Sequence, residues 1–179
     1  MDYKINNSEF ALLSLIEELG NCNGYQLRQS VEERGYGAWS GVSSSSIYVT
    51  LKKLEKRRFV LSQPDTQKQS KGPTGRIYNV TDGGKQALEL ATIEALTYAR
   101  ETDPRYNLAL CGIDLLPVSK VLECFKERQK SLQSTLDMLE EMAQMAMPLS
   151  AKLLYGRIIE GLKAEINWMK DAVEKISSQ

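Results

Sequence analysis

Apolar residues Phe10, Leu12, Leu13, Leu15, Ile16 and Leu19 keep helical spacing from Ser8 onward, and Gly20 stands where a helix would stop. A second helix is expected over Tyr25 to Arg34, with Tyr25, Leu27 and Val31 facing inward and Gly35 as its terminator. Gly35 to Gly41 reads as a loop whose Trp39 packs beneath the domain. A third helix runs from Ser43 to Arg58. Ile47, Leu51 and Leu54 form its apolar stripe, and Ser44, Ser45, Tyr48, Thr50 and Lys52 its polar face. The four serines from Ser43 to Ser46 are capping residues, because a hydroxyl can accept from an orphan helical N–H. Phe59 to Ser62 and Arg76 to Val80 have the short, alternating pattern of strands, and Gln63 to Gly75 is a polar tip between them.

Three helices followed by a two-stranded hairpin make a winged helix-turn-helix, with the third helix shaped for the major groove and residues 63–75 as the wing. Thr81 is placed to cap a further helix whose apolar side carries Leu88, Ile93 and Leu96 and which ends before Pro104. Arg105 to Leu116 reads as a short helix or an irregular connector.

The last third changes character. Val118, Leu122, Phe125, Gln129, Leu132, Leu136, Leu139, Ala143 and Ala146 alternate steps of four and three, broken in polarity only at Gln129. After Pro148 the same spacing returns in Tyr155, Ile159, Leu162, Ile166, Met169, Val173 and Ile176. Two such helices joined by a short break form an antiparallel hairpin with coiled-coil-like packing. A two-helix hairpin buries little by itself, which makes the same hairpin of a second chain the natural partner. Leu122, Phe125, Leu132, Leu136, Leu139, Ile159, Leu162, Ile166, Met169 and Val173 are the residues expected at that dimer interface; the competing reading folds both helices back on their own winged helix. The organisation is therefore mainly α: residues 1–82 a winged helix-turn-helix, 83–103 a connecting helix, 104–179 a C-terminal helical dimerisation domain.

Composition narrows the function. The 179 residues carry 23 basic and 23 acidic side chains, yet Lys52 to Arg76 holds eight basic residues against two acidic ones, a local charge of +6. Such a patch on a neutral protein is an electrostatic footprint for phosphates. Histidine is absent, which removes His-based triads, His general acids and His-containing metal sites. The cysteines Cys22, Cys111 and Cys124 are far apart, read as packed thiols, and suit a reducing cytoplasm. Adjacent carboxylates such as Glu32-Glu33 and Glu140-Glu141 do not face each other on a helix, so neither is an acid/base pair. No metal or cofactor is expected, no apolar run is long enough to span a membrane, and no signal-peptide pattern opens the chain. The chain reads as a binding protein, not an enzyme.

The chain resembles the PadR family of bacterial transcriptional regulators. The resemblance is carried by Phe10-Ala-Leu-Leu-Ser-Leu-Ile16, Gly24-Tyr25-Gln26-Leu27, Ser46-Ile47-Tyr48-x-x-Leu51-x-x-Leu54-Glu55 and Arg76-Ile77-Tyr78-Asn79-Val80-Thr81-x-x-Gly84, in that order. It departs before and within the third helix: the family's Pro-Gly before the Ser or Thr is Ser44-Ser45 here, and its Pro after the Tyr is Val49. The resemblance implies a homodimeric regulator of double-stranded DNA acting on near-palindromic sites, repressing or less often activating. It implies Tyr48 on a backbone phosphate, Ser45 and Ser46 near bases or phosphates, and Arg76, Lys68 and Lys71 reaching the adjacent groove. Ser44, Thr50, Lys52 and Lys53 complete the expected DNA-facing set, and Tyr78 is read as packing under the wing. Some relatives are released by small aromatic compounds. Tyr98, Tyr106, Phe125, Tyr155 and Trp168 are the aromatics that could line such a pocket, each read first as core. The alternative from another class is a winged helix used as a protein-interaction module, its basic run merely solvated.

Overall fold

The computed structural model describes residues 2–65, 75–98, 103–145 and 148–178, without the side chains of residues 38 and 39. The chain divides into two compact units, Met1–Ala95 with Thr102–Leu115, and Leu96–Glu101 with Leu116–Gln179. The expected packing of Trp39, the wing-tip lysines Lys68 and Lys71, and Ala146 lie outside the described residues.

In the first unit, α1 (Asn7–Leu19) starts at a capping box. Asn6 Oδ1 accepts from the Glu9 N–H at 2.9 Å, and Glu9 Oε2 accepts from the Asn6 N–H at 3.0 Å. Phe10 to Ile16 is buried without a break, so α1 is the axle of this unit. Leu19, expected inside, is exposed. It lies past the enclosed turns, where Gly20 at φ 55° swings the chain away.

A two-residue strand, β1 (Cys22–Asn23), precedes α2 (Gly24–Glu33). Asn23 caps α2 through its side chain and Gln26 returns the bond, a second capping box. Tyr25, expected inward, is 70% exposed, because the second helical position sits on the capping turn and off the stripe of Gly24, Leu27 and Val31. The expected loop contains a short helix, α3 (Tyr36–Trp39), between Gly35 and Gly41, both at positive φ. The third expected helix is a 3₁₀ turn, Ser44–Ser46, leading into α4 (Ile47–Lys56).

The wing strands β2 (Val60–Pro64) and β3 (Arg76–Val80) pair antiparallel, Val60 opposite Val80 and Pro64 opposite Arg76. The sheet has three strands, not two, in the order β1-β3-β2. Cys22 and Asn23 sit opposite Tyr78 and Ile77. Two residues carry no readable period, and this strand exists only because the fold brings β3 beside it.

Thr81 caps α5 (Asp82–Tyr98): its Oγ1 accepts from the Gly84 N–H at 3.0 Å and donates to the Arg58 carbonyl at 2.7 Å. Gly84 is required by space. A Cβ there would lie 2.1 Å from the Phe59 carbonyl oxygen, so α5 meets the start of β2 backbone to backbone. The connector contains α6 (Pro104–Cys111), capped by Asp103 with Pro104 at its first position, then a 3₁₀ turn over Ile113–Leu115. Cys22 and Cys124 are packed, whereas Cys111 is exposed, contrary to expectation.

The second unit holds the long helices α7 (Val118–Ala143) and α8 (Leu149–Ser177). Leu136, Leu139, Ile159, Leu162 and Ile166 form one buried cluster flanked by Leu132, Met142, Tyr155 and Ile158. The residues expected at a dimer interface are thus largely enclosed within this chain; Phe125 and Met169 are buried too, and Leu122, Leu132 and Val173 partly covered. Toward the start of α7 the buried row is Val121, Cys124, Phe125 and Arg128, one residue ahead of the strict heptad. The charged member of that row is Arg128, with Gln129 half-covered beside it. Arg128 Nη2 meets Glu165 Oε1 at 3.3 Å, the two side chains 3% and 16% exposed, so the helices are pinned by an enclosed ion pair.

Two stability outcomes follow. Glu165→Leu leaves the Arg128 guanidinium enclosed without its carboxylate and lowers stability by about 3 kcal/mol, and Arg128→Met/Glu165→Leu recovers most of that loss in urea unfolding. Gly84→Ala drives a methyl into the Phe59 carbonyl and lowers stability by roughly 2 kcal/mol or more in thermal unfolding.

Candidate nucleic-acid interface

Ile47, Leu51 and Leu54 are fully buried along one side of α4, and that anchoring decides which residues turn outward. Tyr48 and Val49 are exposed, as are Lys52, Lys53 and Lys56. Thr50, expected on this face, is 5% exposed, and its Oγ1 donates to the Ser46 carbonyl at 3.0 Å. It lies 300° round the helix from Ile47, on the rim of the buried stripe, and is removed from the DNA-facing set.

The serines at the start of α4 are mutually ordered. Ser43 Oγ accepts from the Ser45 N–H, Ser46 Oγ donates to the Ser43 carbonyl at 2.8 Å, and Ser43 and Ser45 share a hydroxyl bond at 2.7 Å. Ser45 is exposed; Ser44 and Ser46 are half-buried. The Glu32 carboxyl is held below its usual range by a hydrogen bond from Arg28 and by a second from Ser44.

The N-terminal turn of α2 abuts the same face. A Cβ at Gly24 would lie 2.7 Å from the Tyr48 ring, so glycine here lets the ring approach the α2 backbone closely. Exposed Tyr25 and Arg28 project beside it, Arg28 Nε bonded to Glu32 Oε1 at 2.9 Å. Both stand outside the DNA-facing set expected from the sequence.

At the base of the wing, Arg76 Nε donates to Ser62 Oγ at 2.7 Å and Nη2 meets Glu55 Oε1 at 3.0 Å. Ser62 in turn donates to Glu55. This triangle joins α4 to both wing strands. Tyr78 is buried under the wing as expected, and burial pushes its phenol upward. Arg57, counted in the basic patch, turns inward. It meets Glu9 Oε2 at 2.9 Å, donates to the carbonyls of Asp2 and Lys4 and stacks 4.4 Å over the Phe59 ring. What remains outward on α4 is a lysine face, Lys52, Lys53 and Lys56, around two exposed side chains, Tyr48 and Val49.

Tyr106 is buried and belongs to the first unit, and Tyr98 is 75% exposed. Phe125 and Trp168 come together, ring centroids 6.4 Å apart within the α7–α8 hairpin. Among the described residues no His, Cys, Asp or Glu cluster has the makings of a metal site, and no helix is long and apolar enough to cross a membrane.

Residues 12–90 match the family described as Transcriptional regulator PadR-like family. Among solved structures the chain is similar to Bacillus subtilis PadR in complex with operator DNA, at 23% identity over 94% of this chain and 98% of that one, TM-score 0.45. It is similar to Bacillus subtilis PadR in complex with p-coumaric acid at 22% identity over 96% of each chain, TM-score 0.41. A PadR-like transcriptional regulator from Bacillus cereus is 15% identical over 98% of this chain and 99% of its own, TM-score 0.41. A search of curated proteins found no match.

The two kinds of cation on α4 separate experimentally. Arg57→Gln strips partners from the buried Glu9 and two carbonyls and lowers stability by about 2 kcal/mol. Lys56→Gln, on the solvent face, changes it by no more than about 0.5 kcal/mol in the same urea titration.

Proposed function

Residues 12–90 are a PadR-like transcriptional-regulator domain, and from that premise we propose that the protein is a sequence-specific DNA-binding regulator whose α4 enters the major groove. The observation that carries this is the outward face of α4. Tyr48, Lys52, Lys53 and Lys56 stand on a helix whose opposite side is locked into the domain core. Phosphate contacts from such lysines supply salt-dependent affinity and fix the helix in the groove, while the shorter side chains, Ser45 among them, reach bases. The wing lysines Lys68 and Lys71 extend the same cationic surface in sequence.

The acting form is a homodimer held by residues 104–179 on a near-palindromic operator, and it represses by occupying promoter DNA. The α7–α8 hairpin closes its own seam, yet leaves Met138, Met145, Leu149, Leu153 and Leu154 exposed around its turn. Apolar side chains grouped in this way favour an isologous contact with a second copy. A small aromatic effector would enter this scheme only by binding one separation of the paired α4 helices better than another.

The test is fluorescence anisotropy on a duplex recovered by selection from randomised DNA, at two salt concentrations, with sedimentation equilibrium for the dimer. Lys52→Gln weakens binding to all duplexes alike and lowers the salt slope by about 1. Tyr48→Ala weakens binding roughly tenfold or more, with the dimer intact. Unchanged affinity in both variants would remove α4 from the interface, and a monomer at micromolar concentration would remove the homodimer.

A further inference from the structure

Val49 is out of place. The outward side of α4 is otherwise polar or cationic, and Val49 stands at its centre with 57% of its surface exposed. Lys52 and Lys53, three and four positions on, are its neighbours on the helix, and Lys56, seven on, shares the same face two turns away. The buried stripe of Ile47, Thr50, Leu51 and Leu54 is diametrically opposite, so Val49 serves no core within the chain. Local stability gives it no reason either. A β-branched side chain loses rotamer freedom in a helix, and any of the surrounding lysines would be a better helix former.

We propose that Val49 is a base-reading residue that packs against the C5-methyl group of a thymine, so that each operator half-site carries a thymine under the middle of α4. The inference deepens the DNA-binding reading and rests on it. Its chemistry follows from what the major groove displays: the thymine methyl is the only apolar group offered there, and an apolar side chain is its natural complement. The isopropyl group is stiff at χ1, so it arrives pre-set and loses little freedom on contact. The lysines around it are long and flexible, suited to reaching phosphates on either side while carrying no base information. A single apolar side chain ringed by cations is thus the arrangement a groove-reading helix needs, with affinity at the rim and discrimination at the centre.

The experiment uses the full chain and a duplex obtained by selection from randomised DNA. Each thymine is replaced in turn by deoxyuridine, which removes the methyl group and leaves every hydrogen-bonding edge in place. For the unaltered protein, one replacement per half-site weakens binding roughly three- to tenfold, as expected for one lost methyl contact. Val49→Ala binds the thymine and deoxyuridine duplexes alike, and its thermal unfolding matches that of the unaltered chain. If no deoxyuridine substitution matters, or Val49→Ala keeps the same preference for the methylated base, the assignment of Val49 fails while DNA binding stands. If selection recovers no preferred duplex, both readings fall together.

Discussion

Everything on the candidate interface depends on the burial of three side chains. Ile47, Leu51 and Leu54 fix α4 about its own axis, and a helix advances 100° per residue, so one anchored stripe dictates the direction of every other side chain. A rotation of a single position would bury Tyr48 and Lys52 and expose Leu54. The partner of that stripe is the core built on α1, whose residues Phe10 to Ile16 are enclosed on all sides and cannot yield. The geometry of recognition is in this sense a consequence of core packing.

The charged residues around α4 divide into two kinds of work. Arginines brace. Arg57 gathers Glu9, two carbonyls and the Phe59 ring; Arg76 joins Glu55 and Ser62 across the wing; Arg105 of α6 donates to the Ile5 carbonyl at 2.8 Å. The planar guanidinium can hold several acceptors at once and stack on a ring, which a lysine ammonium cannot do. Lysines face solvent on α4, where a flexible, strongly hydrated charge is better suited to phosphates than to packing. The neutral total charge conceals this division, since cations that brace and cations that face outward count equally in it.

The second unit shows the same economy with a different outcome. Its heptads are real, yet they close the chain's own hairpin through Leu136, Leu139, Ile159, Leu162 and Ile166. The Arg128–Glu165 pair interrupts an otherwise apolar seam. A charge placed where only one register gives it a partner is an effective way to fix how two long helices slide on each other. The apolar side chains left exposed lie near the turn, Met138, Met145, Leu149, Leu153 and Leu154.

Much of this was legible before any coordinates. Helices α1, α2, α4, α5, α7 and α8 and the wing strands follow from periodicities of 3.6 and 2 and from capping residues such as Ser43 and Thr81, which act over a few residues and so leave a local mark in the sequence. The basic concentration at α4 and the motifs shared with PadR-like regulators were equally visible. Tertiary structure alone decided the rest. β1 exists because β3 lies beside it. Thr50 is hidden because its hydroxyl can return to Ser46 on the rim of the buried stripe. Tyr25 is exposed because it occupies a capping turn, and Arg57 is structural because Glu9, 48 residues away, waits for it. The heptad seam and its antiparallel hairpin were readable, but not how much of the seam one chain buries by itself. Period fixes which face of an element is apolar; only the distances between elements decide what that face meets.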